Sequence, residues 1–279
     1  MDQRQSIRPR KRVVLGTGIS VTSYSEVVDV SRKWVEERRQ SIHAGSPDSV
    51  PGRSICVTSV HGIVSAVLDP ELKRVLNSAD VATPDGMPVV WALRSFGEAQ
   101  QQRVYGPDLM LALCAAAEQY GYRIYFYGGH GEILSNLRQR LLKRFPNLLI
   151  AGEHSPPFRP LTPEEDDRCV AAIIASEADI VFVGLSTPKQ DYWMMQHRDR
   201  LPGVILVGVG AAFDFHAGRV RQAPARLRRW GLEWSFRLFM EPKRLWKRYL
   251  FITPMFLPLW ALQKIGLLRY RALNDERSV

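Results

Sequence analysis

The 279-residue sequence predicts an α/β fold: a parallel sheet covered by helices on both faces, followed by a helical, basic C-terminal segment. Two observations carry this. From Val13 to Val209, apolar runs of strand length alternate with longer helix-like segments, the pattern of parallel strands joined by helical crossovers. Charge is also divided unevenly. Residues 1–215 hold 24 Lys+Arg against 24 Asp+Glu, whereas residues 216–279 hold 14 against 4, so the whole net charge of +10 lies in the last quarter. Such an asymmetry points to an anionic partner there: a membrane surface, nucleic acid or phosphate groups. Apolar residues make up 46% of the chain, enough for one large domain or two small ones.

Residues 1–12 are polar and basic, lack the apolar stretch of a signal peptide, and are expected to be mobile. Val13-Val14-Leu15-Gly16 reads as a short strand, and Gly16-Thr17-Gly18 lacks the third glycine of a dinucleotide fingerprint. Ser23-Tyr24-Ser25-Glu26 matches a capping box and starts a helix running to about Gln40; residues 41–53 read as a loop. Ile55–Thr58 is the next strand, a helix follows from about His61, and Asp69-Pro70-Glu71 starts another, with Pro in its first turn. Residues 79–83 form a strand. Beyond Tyr105 the alternation is regular. Helix Leu109–Tyr120, strand Tyr122–Tyr127, the glycine loop 128–131 and a helix to about Phe145 come first. Strand 148–151, the Pro-rich loop 154–163, helix 164–176, strand Ile180–Val183, loop Gly184–Gln190, helix 191–200 and strand Val204–Val209 follow.

The catalytic core is thus expected over 13–217 and a helical appendage over 218–279. Residues 249–268 are strongly apolar but contain Pro254, Pro258 and Lys264, which suits a segment lying in a membrane interface better than one that spans the bilayer. The competing reading is an ordinary helical subdomain packed on the sheet. Trp230, Trp234 and Trp246 serve either as membrane anchors or as a packing stripe. Cys56, Cys114 and Cys169 are far apart, with no CxxC spacing, and read as buried free thiols of a cytosolic protein.

The stretch Thr83-Pro84-Asp85-Gly86-Met87-Pro88 joins a strand to a helix. A carboxylate there stands at the strand's C-terminal end, where open α/β sheets keep their ligand crevices. Pro-Asp-Gly is also a common turn tripeptide. Gly128 and Gly129 can offer backbone N–H groups to a diphosphate, or can simply make a turn. In Gly184-Leu185-Ser186-Thr187-Pro188-Lys189-Gln190, Pro188 suits a helix start, and Gln190 either faces the crevice with an amide for a sugar hydroxyl or uracil or is a solvated surface residue. No DxD pair or ligand cluster supports a metal site, and His61 and His216 are not read as ligands.

These segments occur in a fixed order. They include Asp80–Pro88, Arg103–Asp108, Tyr125–Gly129, Gly184–Trp193, Gly208–Asp214, Ala223-Pro224, Gly231-Leu232-Glu233-Trp234, Arg237-Leu238 and Glu241–Tyr249. In that order, over about residues 13–250, the chain resembles the WecG/TagA/CpsF family of bacterial glycosyltransferases. The resemblance implies a Rossmann-like core and a C-terminal appendage that meets the membrane and helps complete the active site. It implies inverting, metal-independent transfer without a cofactor, from a UDP-sugar, often UDP-N-acetylmannosamine, to a sugar on undecaprenyl diphosphate. Asp85 would be the base and Thr58 its strand-end neighbour. Gly86, Tyr105, Gly106, Gly128, Gly129, Gly184, Pro188, Gln190 and Asp214 would bind substrate, with Arg219, Arg221, Arg228, Arg229 and Arg237 of the tail facing the diphosphate. Where many members carry Asn two residues after the Thr, this chain has Val60 followed by His61. Where many carry Glu after the Gln, it has Asp191.

The expected protein is a cytoplasmic enzyme, peripheral on the inner face of the plasma membrane, with its oligomeric state open, a homo-oligomer included. Hexosyl transfer in exopolysaccharide assembly is the alternative within the family. Outside it, a nucleotide-binding oxidoreductase lacks its fingerprint, and a nucleic-acid-binding module would leave the crevice loops idle, so no nucleic acid partner is expected. Deleting residues from about 219 onward is expected to leave a folded, inactive core.

Overall fold

The computed structural model describes residues 8–224, 226–227 and 230–270. In chain order the first elements are β1 (Lys11–Val14), β2 (Thr17–Ser20), α1 (Tyr24–His43), β3 (Arg53–Ser59), α2 (Val60–Leu68), α3 (Pro70–Ser78), β4 (Val81–Asp85) and α4 (Met87–Ser95). Then come α5 (Gly106–Tyr120), β5 (Arg123–Gly128), α6 (Gly131–Arg144), β6 (Leu149–His154), α7 (Pro163–Ala175), β7 (Ile180–Gly184), α8 (Lys189–His197), β8 (Ile205–Gly208) and α9 (Ala212–His216). The tail carries α10 (Glu233–Met240), α11 (Pro242–Lys247), a π-helical turn at Arg248–Ile252 and α12 (Phe256–Lys264). The six parallel strands run in the order β4-β3-β8-β7-β5-β6, flanked by helices, as an α/β fold requires. Contacts divide the chain into two compact units. One comprises residues 1–23, 57–105 and 222–279, the other residues 24–56 and 106–221.

In the second unit β8 pairs with the start of β3 (Arg53 opposite Ile205), β7 with β8 (Ile180 opposite Ile205), and β5 with β7 (Ile124 opposite Ile180). β5, β7 and β8 are apolar and buried, as strands covered on both faces must be. β6, at the edge, is half exposed and slips register between Ile124 and Tyr125 of its neighbour. Asp179 ties α1 to the sheet: it accepts from Arg38 Nη1, Arg39 Nη2 and the backbone N–H of Arg123, each at 2.9 Å. Cys56, Cys114 and Cys169 are buried and form no disulfide.

The first unit opens with an antiparallel hairpin, β1–β2, where the sequence predicts a single strand. Leu15 and Gly16 turn the chain with φ of 51° and 82°, the positive values of the tight turns that match strand twist. Leucine is an unusual residue there. Its side chain is wholly buried with Ile19, Val60, Ile63, Val64, Val89, Leu93 and Phe256, and that burial offsets the backbone cost. Residues 1–7 of the segment expected to be mobile lie outside the described residues. Its remainder is held by charge: Arg8 pairs with Asp80 at 2.5 Å, Arg10 and Arg12 pair with Glu98, and Lys11 begins β1.

The tail belongs to this unit's core. Phe256 is fully buried, Trp260 Nε1 donates to Ser95 Oγ at 3.2 Å, and Gln263 clasps β1 with both ends of its amide. Its Oε1 accepts from Leu15 N at 2.8 Å and its Nε2 donates to the Val13 carbonyl at 2.9 Å. A chain cut near residue 219 would therefore lose part of this core, and the expectation of a folded remainder changes accordingly. Among the described residues, no helix is long and apolar enough to cross a membrane.

Candidate active site

Asp85 closes β4, and Gly86 turns the chain into α4. Gly86 has φ 109°, a value that favours glycine, and its carbonyl accepts from Val89 N at 3.1 Å. Pro88 sits in the helix's first turn, where its missing N–H costs nothing. The carboxylate is thereby fixed at a helix N-terminus, on the wall of a cavity of about 110 Å³. The wall includes Ser59, His61, Gly86, Arg103, Tyr105, Glu233, Trp234, Arg237, Arg248 and Thr253, all from the first unit.

Arg103 organises the charges. Its Nε and Nη2 both donate to Oδ1 of Asp85, at 3.1 and 2.9 Å, and its Nη1 donates to Oε2 of Glu233 at 2.9 Å. Tyr105 donates its hydroxyl to Glu233 Oε1 at 2.8 Å, and its ring lies 4.1 Å from the guanidinium carbon. Oδ2 of Asp85 has no hydrogen-bond partner among the described residues. Burial raises the proton affinity of Asp85 above the usual carboxylate range, and Glu233 adds to this, while the Arg103 and Arg237 charges work against it. The result is a carboxylate with one oxygen anchored, one oxygen available and an enhanced hold on a proton, the properties of a general base.

The wall also carries cations. Arg237 stands one turn beyond Glu233, and Arg248 Nη2 donates to Ser59 Oγ at 3.2 Å. Burial, aided by the Arg248 charge, holds His61 down at about 4, so its imidazole is neutral at physiological pH. Its Nδ1 is buried without a partner among the described residues. This wall can stabilise growing negative charge on a leaving group. Among the described residues no group of three His, Cys, Asp or Glu stands in a metal-holding arrangement.

Of the residues expected from sequence, Asp85, Gly86, Tyr105 and Arg237 line this cavity. Thr58 is buried on β3, and the wall is formed instead by its successors Ser59, Val60 and His61. Gly106, Gly128, Gly129, Gly184, Pro188, Gln190, Asp214, Arg219 and Arg221 belong to the second unit. There, glycine at 128 and 184 answers to close packing: a Cβ at 128 would lie 2.8 Å from the Gly184 backbone, and one at 184 would lie 2.5 Å from Phe213. Gln190 is buried, with Oε1 accepting from Gly210 N at 2.9 Å and Nε2 within 3.4 Å of Thr187 Oγ1. Asp214 pairs with Arg219 at 3.4 Å, and Arg221 is exposed. Arg228 and Arg229 lie outside the described residues. Sequence reading missed Arg103, Glu233 and Arg248. Each stands in a quoted motif, but the partners are 130 residues (Arg103 and Glu233) and 189 residues (Arg248 and Ser59) apart, so local chemistry gave no sign of them.

Comparison with known proteins adds two findings. The family model for the glycosyl transferase WecG/TagA/CpsF family matches residues 12–270. An N-acetylglucosaminyldiphosphoundecaprenol N-acetyl-beta-D-mannosaminyltransferase of Bacillus spizizenii is 37% identical over 188 residues, covering 67% of this chain and 70% of that protein.

Proposed function

The chain belongs to the WecG/TagA/CpsF family of glycosyltransferases, and on that premise we propose that it transfers N-acetylmannosamine from UDP-N-acetylmannosamine to N-acetylglucosamine on undecaprenyl diphosphate. The reaction is a single, inverting displacement. The acceptor hydroxyl attacks the anomeric carbon, its proton passes to Oδ2 of Asp85, and UDP leaves with the bonding electron pair. Arg237 and Arg248 meet the charge that develops on the diphosphate, the service a divalent ion gives in other transferases. The observation that carries this reading is Asp85 held through one oxygen, the other having no hydrogen-bond partner among the described residues, in a cavity that these two arginines also line. Roles for Thr58 beside the base, and for Gly106, Gly128, Gly129, Gly184, Pro188, Gln190, Asp214, Arg219 and Arg221 in substrate binding, are part of the proposal.

The same reading puts the enzyme at the inner face of the plasma membrane, where a lipid-diphosphate acceptor presents its sugar. Exposed Trp230, Phe239, Trp246, Phe251, Ile265 and Leu267 lie in the segment that also holds the excess positive charge, a composition suited to an anionic interface. The test is transfer from radiolabelled UDP-N-acetylmannosamine and UDP-glucose to an N-acetylglucosaminyl-diphospho-lipid, with and without a chelator. N-acetylmannosamine transfer with inversion, unaffected by the chelator, is expected. Asp85→Asn should lower turnover by about 10²–10⁴-fold with UDP affinity retained. A fully active Asp85→Asn enzyme would remove the base from the mechanism, and preference for UDP-glucose would reassign the donor.

A further inference from the structure

Arg103 divides its donors between two carboxylates. A guanidinium facing a single carboxylate commonly takes the forked arrangement that engages both oxygens. Here Nε and Nη2 converge on Oδ1 of Asp85, while Nη1 is drawn away to Glu233. Glu233 is itself held. It is buried, it opens α10, where the helix dipole favours a carboxylate, and its second oxygen accepts from Tyr105. Its two oxygens are thus each engaged, Oε2 by Arg103 and Oε1 by Tyr105.

We propose that Glu233 is a positioning residue for the transfer reaction: by holding Nη1 of Arg103 it confines the guanidinium to Oδ1 of Asp85 and keeps Oδ2 open for the acceptor's proton. The inference rests on the reading of Asp85 as the base. It also places a residue of the tail in direct control of that base, through Arg103. Other ionisable groups on the same wall are Tyr105 beside Arg103, Arg237 on α10, His61 on α2, and Arg248 and Tyr249 on the π-helical turn. Of the acidic neighbours, Glu233 is the one that adds to the proton affinity of Asp85, and Arg103 and Arg237 reduce it. Removing the Glu233 charge should therefore weaken the base and release Arg103 toward the second oxygen.

The experiment is the pH profile of kcat and kcat/KM for full-length Glu233→Gln, with UDP-N-acetylmannosamine and an N-acetylglucosaminyl-diphospho-lipid. Gln keeps the shape of the side chain and an oxygen for hydrogen bonding. The acidic limb should move to lower pH, and kcat should fall by roughly tenfold or more while donor KM stays within about threefold. Glu233→Asp should recover part of both. Should Glu233→Gln fail to fold, Tyr105→Phe, which frees one oxygen of Glu233, should show a smaller displacement in the same direction. An unmoved limb with wild-type kcat, or a loss confined to KM, would overturn the role of Glu233. If that occurs while Asp85→Asn is inactive, only Glu233 is at fault; an active Asp85→Asn enzyme would overturn the base and this inference together.

Discussion

Phe256→Ala is the sharpest probe of how the tail belongs to the protein. Phe256 is fully buried against Leu15, Val60, Ile63, Val89 and Leu93, residues that precede it in sequence by more than 160 positions. An aromatic side chain of this kind removes on the order of 150–250 Å² from water, worth about 4–6 kcal/mol at ~25 cal/mol/Å². Alanine keeps a small part of that burial, so the cost should fall near the range for buried aromatic truncations, about 3–5 kcal/mol. At roughly 2–4 °C per kcal/mol the melting temperature of the first unit should drop by on the order of 10 °C. The assay is thermal unfolding of the full chain, following the lower of the two transitions if the units melt separately. Phe251→Ala is the control. That side chain is 62% exposed, and its loss should change stability by no more than about 0.5 kcal/mol. A Phe256→Ala protein that melts with wild type would refute the placement of the tail in the core and restore the view of a detachable appendage.

Two further predictions concern pH. His61 titrates at about 4 in the folded chain against 6.5 for a freely hydrated imidazole, so the unfolded chain takes up a proton that the native state refuses. Stability should fall as pH drops from 6.5 toward 4, and His61→Gln should flatten that slope in urea titrations between about pH 7 and about pH 5; an unchanged slope would rule the explanation out. Asp191 shows the opposite linkage. Burial pushes it up to about 6, against hydrogen bonds from Thr187 and Cys56, and its Oδ2 lacks a partner among the described residues. The native state then holds a proton that the unfolded chain releases, and stability declines as pH rises from 3.8 through 6. Asp191→Asn should gain stability at about pH 8 relative to about pH 4, and no difference between the two would count against it.

The sheet is legible in the sequence because parallel strands buried on both faces are short apolar runs with few alternative readings. Ile180–Val183 and Tyr122–Tyr127 are such runs, and the observed strands differ from them by a residue or two. Asp85 is legible because strand, turn and helix signals meet at one carboxylate. The β1–β2 hairpin is not, since Leu15 carries none of the turn chemistry that Asn or Asp would show; tertiary burial overrides local preference there. Gln190 illustrates a different limit. Its position at the head of a helix after a strand is plain from the sequence, but spacing cannot tell an amide aimed at a ligand from one consumed by Gly210. Arg103 and Glu233 stay hidden because their meaning arises only when they are brought together.

The clasp made by Gln263 has a consequence for biosynthesis. The amide joins β1 to α12, which is translated well after it. The second unit is encoded between them, and its strand ladder can close before the tail has been made. The first unit cannot. Its hairpin must wait, with Leu15 exposed, until roughly 250 further residues are translated, and the Asp85 pocket waits with it because Glu233 arrives in the same closing stretch. Such an order makes completion of the Asp85 pocket depend on residues translated long after the hairpin it rests on.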